Sequence, residues 1–363
     1  MRAFRVLLPI ALLLLGACGT SRTPDSAAHP PTPVPPAKTE ADWRNAYRDG
    51  VRSLEGREVP QDDAKAASLL ADAANHAISD AQFLLGLLYD TGRGVPNDPV
   101  SAAVWYRKAA EQGHRDAQFL LGLAYYRGRG VARNDPDAAA WFTAAAVAHQ
   151  AGAAYHLGIV NLLGRGVPRD DVAALKWLQQ AADQDYPEAQ YLVGLIYANG
   201  HGVPRDLAWA ARWYGKAAEQ GLTRAQYALA LALAAGLGVS ADAEEALRWA
   251  SLAAEHGDPE AMRLRTDLRE RVTPHDRFAV GQWVRGWLPV AGHDVADRPT
   301  IRYVQTVLGR LGFDPGPPDG VLGPRTKLAI TQYRSQNGAS GDEVLNQDLV
   351  DRLRADANGR NKS

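Results

Sequence analysis

The chain has 363 residues, and 46% of them are hydrophobic, so it is long enough for two domains or for one long array with a well-filled core. Lysine and arginine together number 40, and aspartate and glutamate number 41, which gives no general attraction to nucleic acid or to an anionic membrane. After the N-terminal apolar stretch, no run approaches the roughly 20 apolar residues of a membrane-spanning helix. We therefore predict no nucleic-acid partner.

Residues 1–18 are predicted to be a lipoprotein signal peptide. Arg2 and Arg5 give the N-terminus two positive charges. The segment from Val6 to Leu15 is almost wholly apolar, which suits a signal-peptide core and is too short to span a bilayer. The sequence Leu-Gly-Ala-Cys that ends at Cys18 resembles the bacterial lipobox. This resemblance implies cleavage by signal peptidase II and lipidation of Cys18. The alternative is an ordinary signal peptide with an incidental cysteine.

Cys18 is the only cysteine, so no intramolecular disulfide is possible. Gly19 follows it where an aspartate would suggest retention at the inner membrane, so the lipobox resemblance implies a lipid anchor in the outer membrane of a Gram-negative bacterium, facing the periplasm. Residues 19–41 are rich in proline, serine, threonine and alanine, which predicts a disordered tether in polyproline II conformation. At about 3.1 Å per residue the tether would reach on the order of 60 Å.

A 36-residue period dominates the middle of the chain. Tryptophans recur at that step, at Trp105, Trp141, Trp177, Trp213 and Trp249. Glycines keep the same step at Gly86, Gly122, Gly158 and Gly194, and a Gly-Arg-Gly-Val loop begins at Gly92, Gly128 and Gly164, with variants at Gly200 and Gly236. A weaker copy lies one period earlier. We predict repeats over residues 45–80, 81–116, 117–152, 153–188, 189–224 and 225–260.

Each repeat is predicted to be a helical hairpin. In the second repeat the apolar residues Ala81, Leu84, Leu85 and Leu88 have the i, i+3, i+4, i+7 spacing of an amphipathic helix. A second stripe starts at Ala102, and Asp98 is placed to cap the helix that carries it. Gly86 inside the first helix predicts a close helix approach, with the small pair Ala109–Ala110 as its partner surface. One hairpin cannot bury both stripes, so neighbouring hairpins must stack.

The period and the Gly-Arg-Gly-Val loop resemble the Sel-one-like repeat family, which is related to the tetratricopeptide repeat. This resemblance implies an all-α fold, a right-handed α/α superhelical solenoid of helical hairpins over residues 42–271, which serves protein–protein interaction. Three residues depart from the pattern, Ala230 in a helix and His149 and Asp185 at helix ends, and we expect local adjustment there. The loop residues Arg93, Arg129, Arg165 and His201 share one repeat position. They are either a basic ridge that binds an acidic partner or solvated loop residues.

The C-terminal part is predicted to hold a helix and linker at 272–298, a small three-helix domain at 299–356 and a disordered tail at 357–363. The run from Gln305 through Asp319-Gly320 and Thr326 to Tyr333 resembles the three-helix peptidoglycan-binding domain of cell-wall hydrolases. Tyr333-Arg334 replace the family's Phe-Gln. The resemblance implies peptidoglycan as ligand.

The candidate peptidoglycan-binding residues are Asp319, Gly320, Thr326, Tyr333 and Arg334. For Asp319, Gly320 and Thr326 a role in shaping the loop or capping a helix is the stronger interpretation. The Tyr333 ring could stack on a sugar, and the Arg334 guanidinium could hold a carboxylate of the stem peptide.

No catalytic motif is present, since the chain lacks an HExxH helix and a GxSxG elbow. We expect no cofactor, no metal and no catalytic residue. The sequence thus favours a non-enzymatic envelope lipoprotein that binds peptidoglycan and an unidentified envelope protein. The alternatives are a regulator of a peptidoglycan-remodelling enzyme, or a chain that is itself a wall hydrolase or a β-lactam-binding enzyme.

Overall fold

The computed structural model describes residues 38–290, 297–337 and 344–360. The predicted signal peptide, the lipidation site Cys18 and most of the predicted tether lie outside the described residues, as does the end of the predicted tail. Every regular element within these ranges is a helix. None of these helices combines the length and the apolar character needed to cross a bilayer.

Six consecutive helical hairpins form the repeat array. They comprise α1 (Glu40–Glu55) and α2 (Asp63–Asn75), α3 (Ser79–Thr91) and α4 (Pro99–Glu111), α5 (Arg115–Arg127) and α6 (Asp135–Val147), α7 (Ala151–Leu163) and α8 (Asp171–Ala182), α9 (Pro187–Asn199) and α10 (Leu207–Glu219), and α11 (Thr223–Ala235) and α12 (Ala243–Glu255). Each helix packs against the next in the chain, as expected of stacked hairpins. The predicted all-helical fold of paired helices is confirmed.

The ends of the helices are fixed by the residues that recur. The residue before each second helix has a side chain that accepts a hydrogen bond from a backbone N–H of the first turn, at Asp62, Asp98, Asn134, Asp170, Asp206 and Asp242. Most first helices end at a glycine in the left-handed conformation, such as Gly92 with φ of 71°. His149 and Asp185 lie after the second helices α6 and α8, and they adopt the same left-handed conformation, with φ of 60° and 56°. The backbone path is therefore retained at these two departures from the pattern.

The glycine inside most first helices allows a close approach, but not to the expected partner, and α11 has Ala230 at this position. A Cβ on Gly86 would lie 2.7 Å from the ring of Tyr106 in the second helix of the same hairpin. Gly158 and Gly194 face Leu178 and Tyr214 in the same way. The alanine pair Ala109–Ala110 is buried as well, but it is not the group that requires Gly86. A large side chain fills the space that each glycine leaves.

A second glycine sets the stacking between neighbouring hairpins. A Cβ on Gly94 would lie 2.1 Å from the carbonyl oxygen of Asp63, at the start of the second helix one repeat earlier. Gly130 approaches Pro99 in the same way, and Gly166 approaches Asp135. Since each of these atoms belongs to backbone, the loop glycine fixes the distance between successive repeats.

The remaining helices follow the array. They are α13 (Pro259–Arg271), α14 (Pro274–Gly286), α15 (Arg298–Arg310), α16 (Pro324–Gln336) and α17 (Gln347–Arg360). The helix α13 packs on α12 and α11, and α14 packs on α12. The first helix of the C-terminal domain, α15, packs against α10 of the array and against α16 and α17. The C-terminal domain is therefore docked on the array.

Candidate functional site

The arginines predicted to form a basic ridge are held in ion pairs between neighbouring repeats. Arg93 donates from Nε and Nη2 to the two carboxylate oxygens of Asp63, at 2.8 Å each. Arg165 donates in the same way to Asp135, at 3.0 and 3.3 Å, and also to the hydroxyl of Tyr126 at 2.8 Å. Hydrogen bonds from Arg133 and Arg165 hold the pKa of Asp135 well below its usual range.

The other two ridge positions differ. Pro99 stands where Arg129 would need a carboxylate, so Arg129 instead donates to the carboxylate and the backbone oxygen of Asp90, both at 3.0 Å. His201 is exposed, and the equivalent carboxylate, Asp171, receives hydrogen bonds from Arg169 at 2.9 and 3.0 Å. Each of the three arginines thus forms an ion pair with a carboxylate of the preceding repeat and joins the two repeats. The side chains of Arg93 and Arg129 are 43% and 51% exposed and that of Arg165 is 29% exposed, so these residues are still accessible, and partner binding at this edge stays a prediction.

In the C-terminal domain one buried glutamine organises three of the predicted site residues. Gln305 donates from Nε2 to Asp319 Oδ1 at 3.0 Å and to Thr326 Oγ1 at 3.1 Å. The backbone N–H of Gly320 donates to Gln305 Oε1 at 2.9 Å. Thr326, which is 2% exposed, also donates to the backbone oxygen of Pro315. These contacts shape the loop before α16, which is the structural role that the sequence favoured for Gly320 and Thr326.

Tyr333 does not lie where a sugar could stack on it. The side chain is 2% exposed, its ring meets Phe313 edge to face at 5.7 Å, and its hydroxyl donates to Asp356 Oδ2 at 2.7 Å. The stacking role expected of Tyr333 is therefore corrected to a core role that joins α16 to α17. Arg334 is half-buried and its Nη2 lies 3.4 Å from Asn346 Oδ1. Of the five candidates, Asp319 has the most open position.

A buried ion pair joins the C-terminal domain to the array. Arg302 of α15 donates to both carboxylate oxygens of Glu245 in α12, at 2.7 and 2.5 Å, and the two side chains are 8% and 9% exposed. Arg302 also donates from Nε to the backbone oxygen of Pro318 at 2.9 Å. The loop that carries Asp319 is thus tied to the last repeat through a single guanidinium.

Further contacts lie along α10. Arg212 Nε donates to Thr300 Oγ1 at 2.9 Å, and Lys216 Nζ lies 2.5 Å from Asp297 Oδ2. A Cβ on Gly215 would lie 2.8 Å from Pro299, so the start of α15 needs this glycine to approach the array. These residues place the N-terminus of α15 directly on the second helix of the fifth repeat.

The sequence reasoning missed this junction, although a signal was present. Trp209 and Arg212 stand in α10 where the third repeat has Asp137 and Ala140. Both α10 side chains are buried, at 2% and 5% exposed. A bulky or charged residue that interrupts the period, on a face that other repeats leave polar or small, marks the position of an additional contact.

The fold and the junction define a class: an array of helical hairpins that carries a small three-helix domain on its last repeats. Sequence comparison agrees with this class, because six segments match the model of the Sel1 repeat, at residues 46–77, 79–114, 115–146, 151–186, 187–222 and 223–258. These matches cover more than half of the chain, which therefore belongs to the Sel1 repeat family. Residues 297–353 match the model of a peptidoglycan binding domain.

Solved structures show the same relationship. The chain is 34% identical to a Sel1 repeat protein from Oxalobacter formigenes, with a TM-score of 0.55 over 60% of this chain and 88% of that one. It is 24% identical to a protective antigen of uropathogenic Escherichia coli with an SLR fold, with a TM-score of 0.58 over 88% of this chain and 69% of that one. The second likeness concerns the fold alone. Among curated proteins no sequence matches significantly.

Proposed function

We propose that this protein is a non-enzymatic lipoprotein of the bacterial cell envelope that binds peptidoglycan through its C-terminal domain and recruits a protein partner through its repeat array. The observation that carries the proposal is the match of residues 297–353 to a peptidoglycan binding domain, on the same chain as six Sel1 repeats. The lipobox-like sequence before Cys18 supports a lipid anchor, which would place the protein in the periplasm at the outer membrane.

The docking of the C-terminal domain supports an adaptor mechanism. Because the Arg302–Glu245 ion pair fixes the domain on the last repeats, a wall-bound domain would hold the whole array close to the wall. A lipid at Cys18 would add a second attachment. Two attachments raise the local concentration of whatever the array binds, without requiring either one to be tight.

The tryptophans at the shared repeat position indicate where a protein partner would bind. Trp213 and Trp249 are buried at the docked end, at 2% and 3% exposed. Trp105 and Trp141, at the same position in earlier repeats, are only half-buried. Val104, which precedes Trp105 in the sequence, is 49% exposed. Aromatic and aliphatic side chains of this kind are typical anchors at protein interfaces.

Cosedimentation with purified peptidoglycan sacculi tests wall binding. The Cys18→Ser chain, which lacks the acceptor for lipid, is compared with the same chain ended at Val290, and circular dichroism checks that the shorter chain keeps its helices. We expect retention of the longer chain alone, reversed by a soluble digest of the wall. Equal retention of both chains would contradict the role of the C-terminal domain.

Two further measurements address the other parts of the proposal. Radiolabelled palmitate is expected to enter the wild-type protein and not Cys18→Ser, and the label should follow the outer membrane on a density gradient. A wild-type protein that stays unlabelled would contradict the proposed lipid anchor.

In a zymogram with embedded peptidoglycan we expect no clearing, and a cleared band at the mass of this chain would establish a wall hydrolase instead.

A further inference from the structure

A cavity of about 530 Å³ lies at the junction, between the end of α8, the face of α10 and the helix α17 of the C-terminal domain. Its walls carry charges of both signs. They include Asp183 from α8, Arg212 and Trp213 from α10, and Asp351 and Arg354 from α17. The cavity therefore exists only where the array and the C-terminal domain meet.

Arg212 is the unusual member of this lining. It is 5% exposed, and among the described residues only Thr300 accepts a hydrogen bond from it. It lies against the faces of Trp209 and Trp213, with its Cζ 4.5 and 4.9 Å from the two ring centroids. No carboxylate of the described residues forms an ion pair with it. Burial lowers its pKa, because a charge removed from water without a close counter-ion is destabilised.

Other donors beside the cavity lack partners too. The indole Nε1 atoms of Trp209 and Trp213 are buried and have no acceptor within the part of the chain that the structure describes. Nε of Arg354 also has no hydrogen-bond acceptor there, although it lies 3.9 Å from Oδ2 of Asp206, and Cζ of that guanidinium lies 4.4 Å from the centroid of Trp209. Buried polar groups are normally satisfied, so a cluster of donors without acceptors indicates a place where an acceptor binds.

Carboxylates line the same cavity. Asp183 and Asp351 line the cavity, and neither forms an ion pair within the described ranges. Gln347 donates to Asp351 at 2.9 Å. Asp185 and Lys216 line the cavity as well, so its three carboxylates are balanced by three cationic side chains and the lining as a whole carries little net charge. A simple anion or a simple cation would therefore meet like charges in the lining as well as opposite ones.

We propose that this cavity binds a zwitterionic peptide end, that is, a short peptide with a free carboxylate and a free ammonium group, as in the stem peptides of peptidoglycan. The carboxylate accepts hydrogen bonds from the guanidinium of Arg212, and the ammonium group faces Asp183 and Asp351. The inference rests on the proposed function for the source of the peptide. A bound peptide would contact both the array and α17 and would hold the docked arrangement together.

The test uses the full-length chain and the stem tripeptide L-alanyl-γ-D-glutamyl-meso-diaminopimelate, with binding followed by calorimetry and by tryptophan fluorescence. We expect saturable binding, at least about tenfold weaker for a tripeptide with amidated carboxylates and for one with acetylated amines. The Arg212→Met and Asp351→Asn variants should weaken binding at least about tenfold. Lys176→Met is the matched control, because Lys176 is exposed and lies one period before Arg212.

The outcomes separate this inference from the proposed function. If the wild type is retained by sacculi but ignores the tripeptide, the cavity does not bind the stem peptide and wall binding lies elsewhere. If the tripeptide binds but sacculi do not retain the chain, the cavity is a peptide site and the proposed wall anchor is wrong. Should Arg212→Met fail to fold, Asp351→Asn and the modified tripeptides decide. Equal affinity for all three tripeptides would overturn the inference.

Discussion

The second helices of the second and fifth repeats have the same length and the same place in the repeat, but they lie in very different surroundings. The helix α4 buries five of its 13 residues, whereas α10 buries ten of 13. The helix α4 keeps one face toward solvent, with Val100 at 61% exposed, and α10 is covered by α15 on that side. One repeated element thus serves as a free surface early in the array and as a docking site late in it.

The difference shows how a repeat protein encodes a unique contact. The period determines the hairpin, and every copy therefore presents the same backbone. Specificity for the docked domain comes from residues that depart from the repeat pattern. Examples are Trp209 and Arg212 in α10, at the positions that Ser101 and Val104 occupy in α4. Their partners in α15 are distant in sequence, so only the folded chain brings them together.

The largest expected effect comes from the buried ion pair. Arg302→Met leaves Glu245 as a buried carboxylate without its guanidinium, and removing one partner of such a pair costs about 3–5 kcal/mol. We expect urea denaturation to show this loss, and hydrogen exchange to show that α10 becomes as accessible as α4. That result would remove the contrast between the two helices.

The double variant Glu245→Leu, Arg302→Met sharpens the same comparison. It leaves no buried charge at this contact, so it should recover a large part of the lost stability. If the single and the double variant were equally unstable, the packing around the pair, and not its charge, would hold the domain in place.

A matched pair of glycines probes the stacking along the array. Gly130 and Gly202 have φ of 74° and 70°, so alanine at either one is strained by about 1–3 kcal/mol. Only at Gly130 would the new Cβ also lie 1.9 Å from a backbone oxygen, that of Pro99. At Gly202 the nearest atom is the Cβ of Asp171 at 3.1 Å. Gly130→Ala should therefore lower the free energy of unfolding by at least about twice as much as Gly202→Ala does, as measured by urea denaturation.

Equal losses in the two variants would mean that the backbone conformation alone requires these glycines. The stacking distance between hairpins would then depend on other contacts. A larger loss in Gly130→Ala locates the tight contact between the second and third repeats.

The hairpins were predictable because they depend on local chemistry. Caps such as Asp98 and left-handed glycines such as Gly92 act within a few residues, so their recurrence is visible in the sequence. The peptidoglycan-binding domain was recognisable for the same reason, through the turn at Asp319-Gly320. Trp209 and Arg212 mark the repeat on which that domain docks, but the ion pair that fixes it was not predictable, because Glu245 and Arg302 form no sequence pattern with each other.

The interpretation of Tyr333 shows a different limit. Thr326, Ala329, Ile330 and Tyr333 have the i, i+3, i+4, i+7 spacing of a buried stripe, and all four are buried. The expected stacking on a sugar rests only on the aromatic ring of Tyr333. The spacing was the better guide, since one face of a short helix in a small domain is needed for the core.

A smaller effect is expected from one histidine of the fourth repeat. Burial among Phe119, Phe142 and neighbouring rings lowers the pKa of His156 to about 4, with a further contribution from the charge of Arg127. The unfolded chain binds a proton near the ordinary pKa of about 6.5, before the folded chain does. Stability should therefore fall as the pH drops from about 6.5 to about 4, by up to about 3 kcal/mol.

His156→Leu is the matched variant, because Leu120 and Leu192 stand one period to either side. Urea denaturation at several pH values should show the acid-dependent loss in the wild type and a much flatter profile in the variant. Parallel profiles would assign the acid sensitivity to the carboxylate–arginine pairs instead.

The smallest effects are expected along the arginine edge, where they bear on its role. Arg165 is 29% exposed and its Cζ lies 4.2 Å from the centroid of Tyr126, whereas Arg129 is 51% exposed. Arg165→Met should lower the Tm by about a few degrees, and Arg129→Met by less, because exposed ion pairs contribute little and salt screens them. Scanning calorimetry at low and high salt measures both changes. A Tm unaffected by either substitution, together with loss of a captured protein partner, would support the predicted basic ridge as a binding surface. A salt-sensitive fall in Tm with partner capture intact would identify these arginines as links between hairpins.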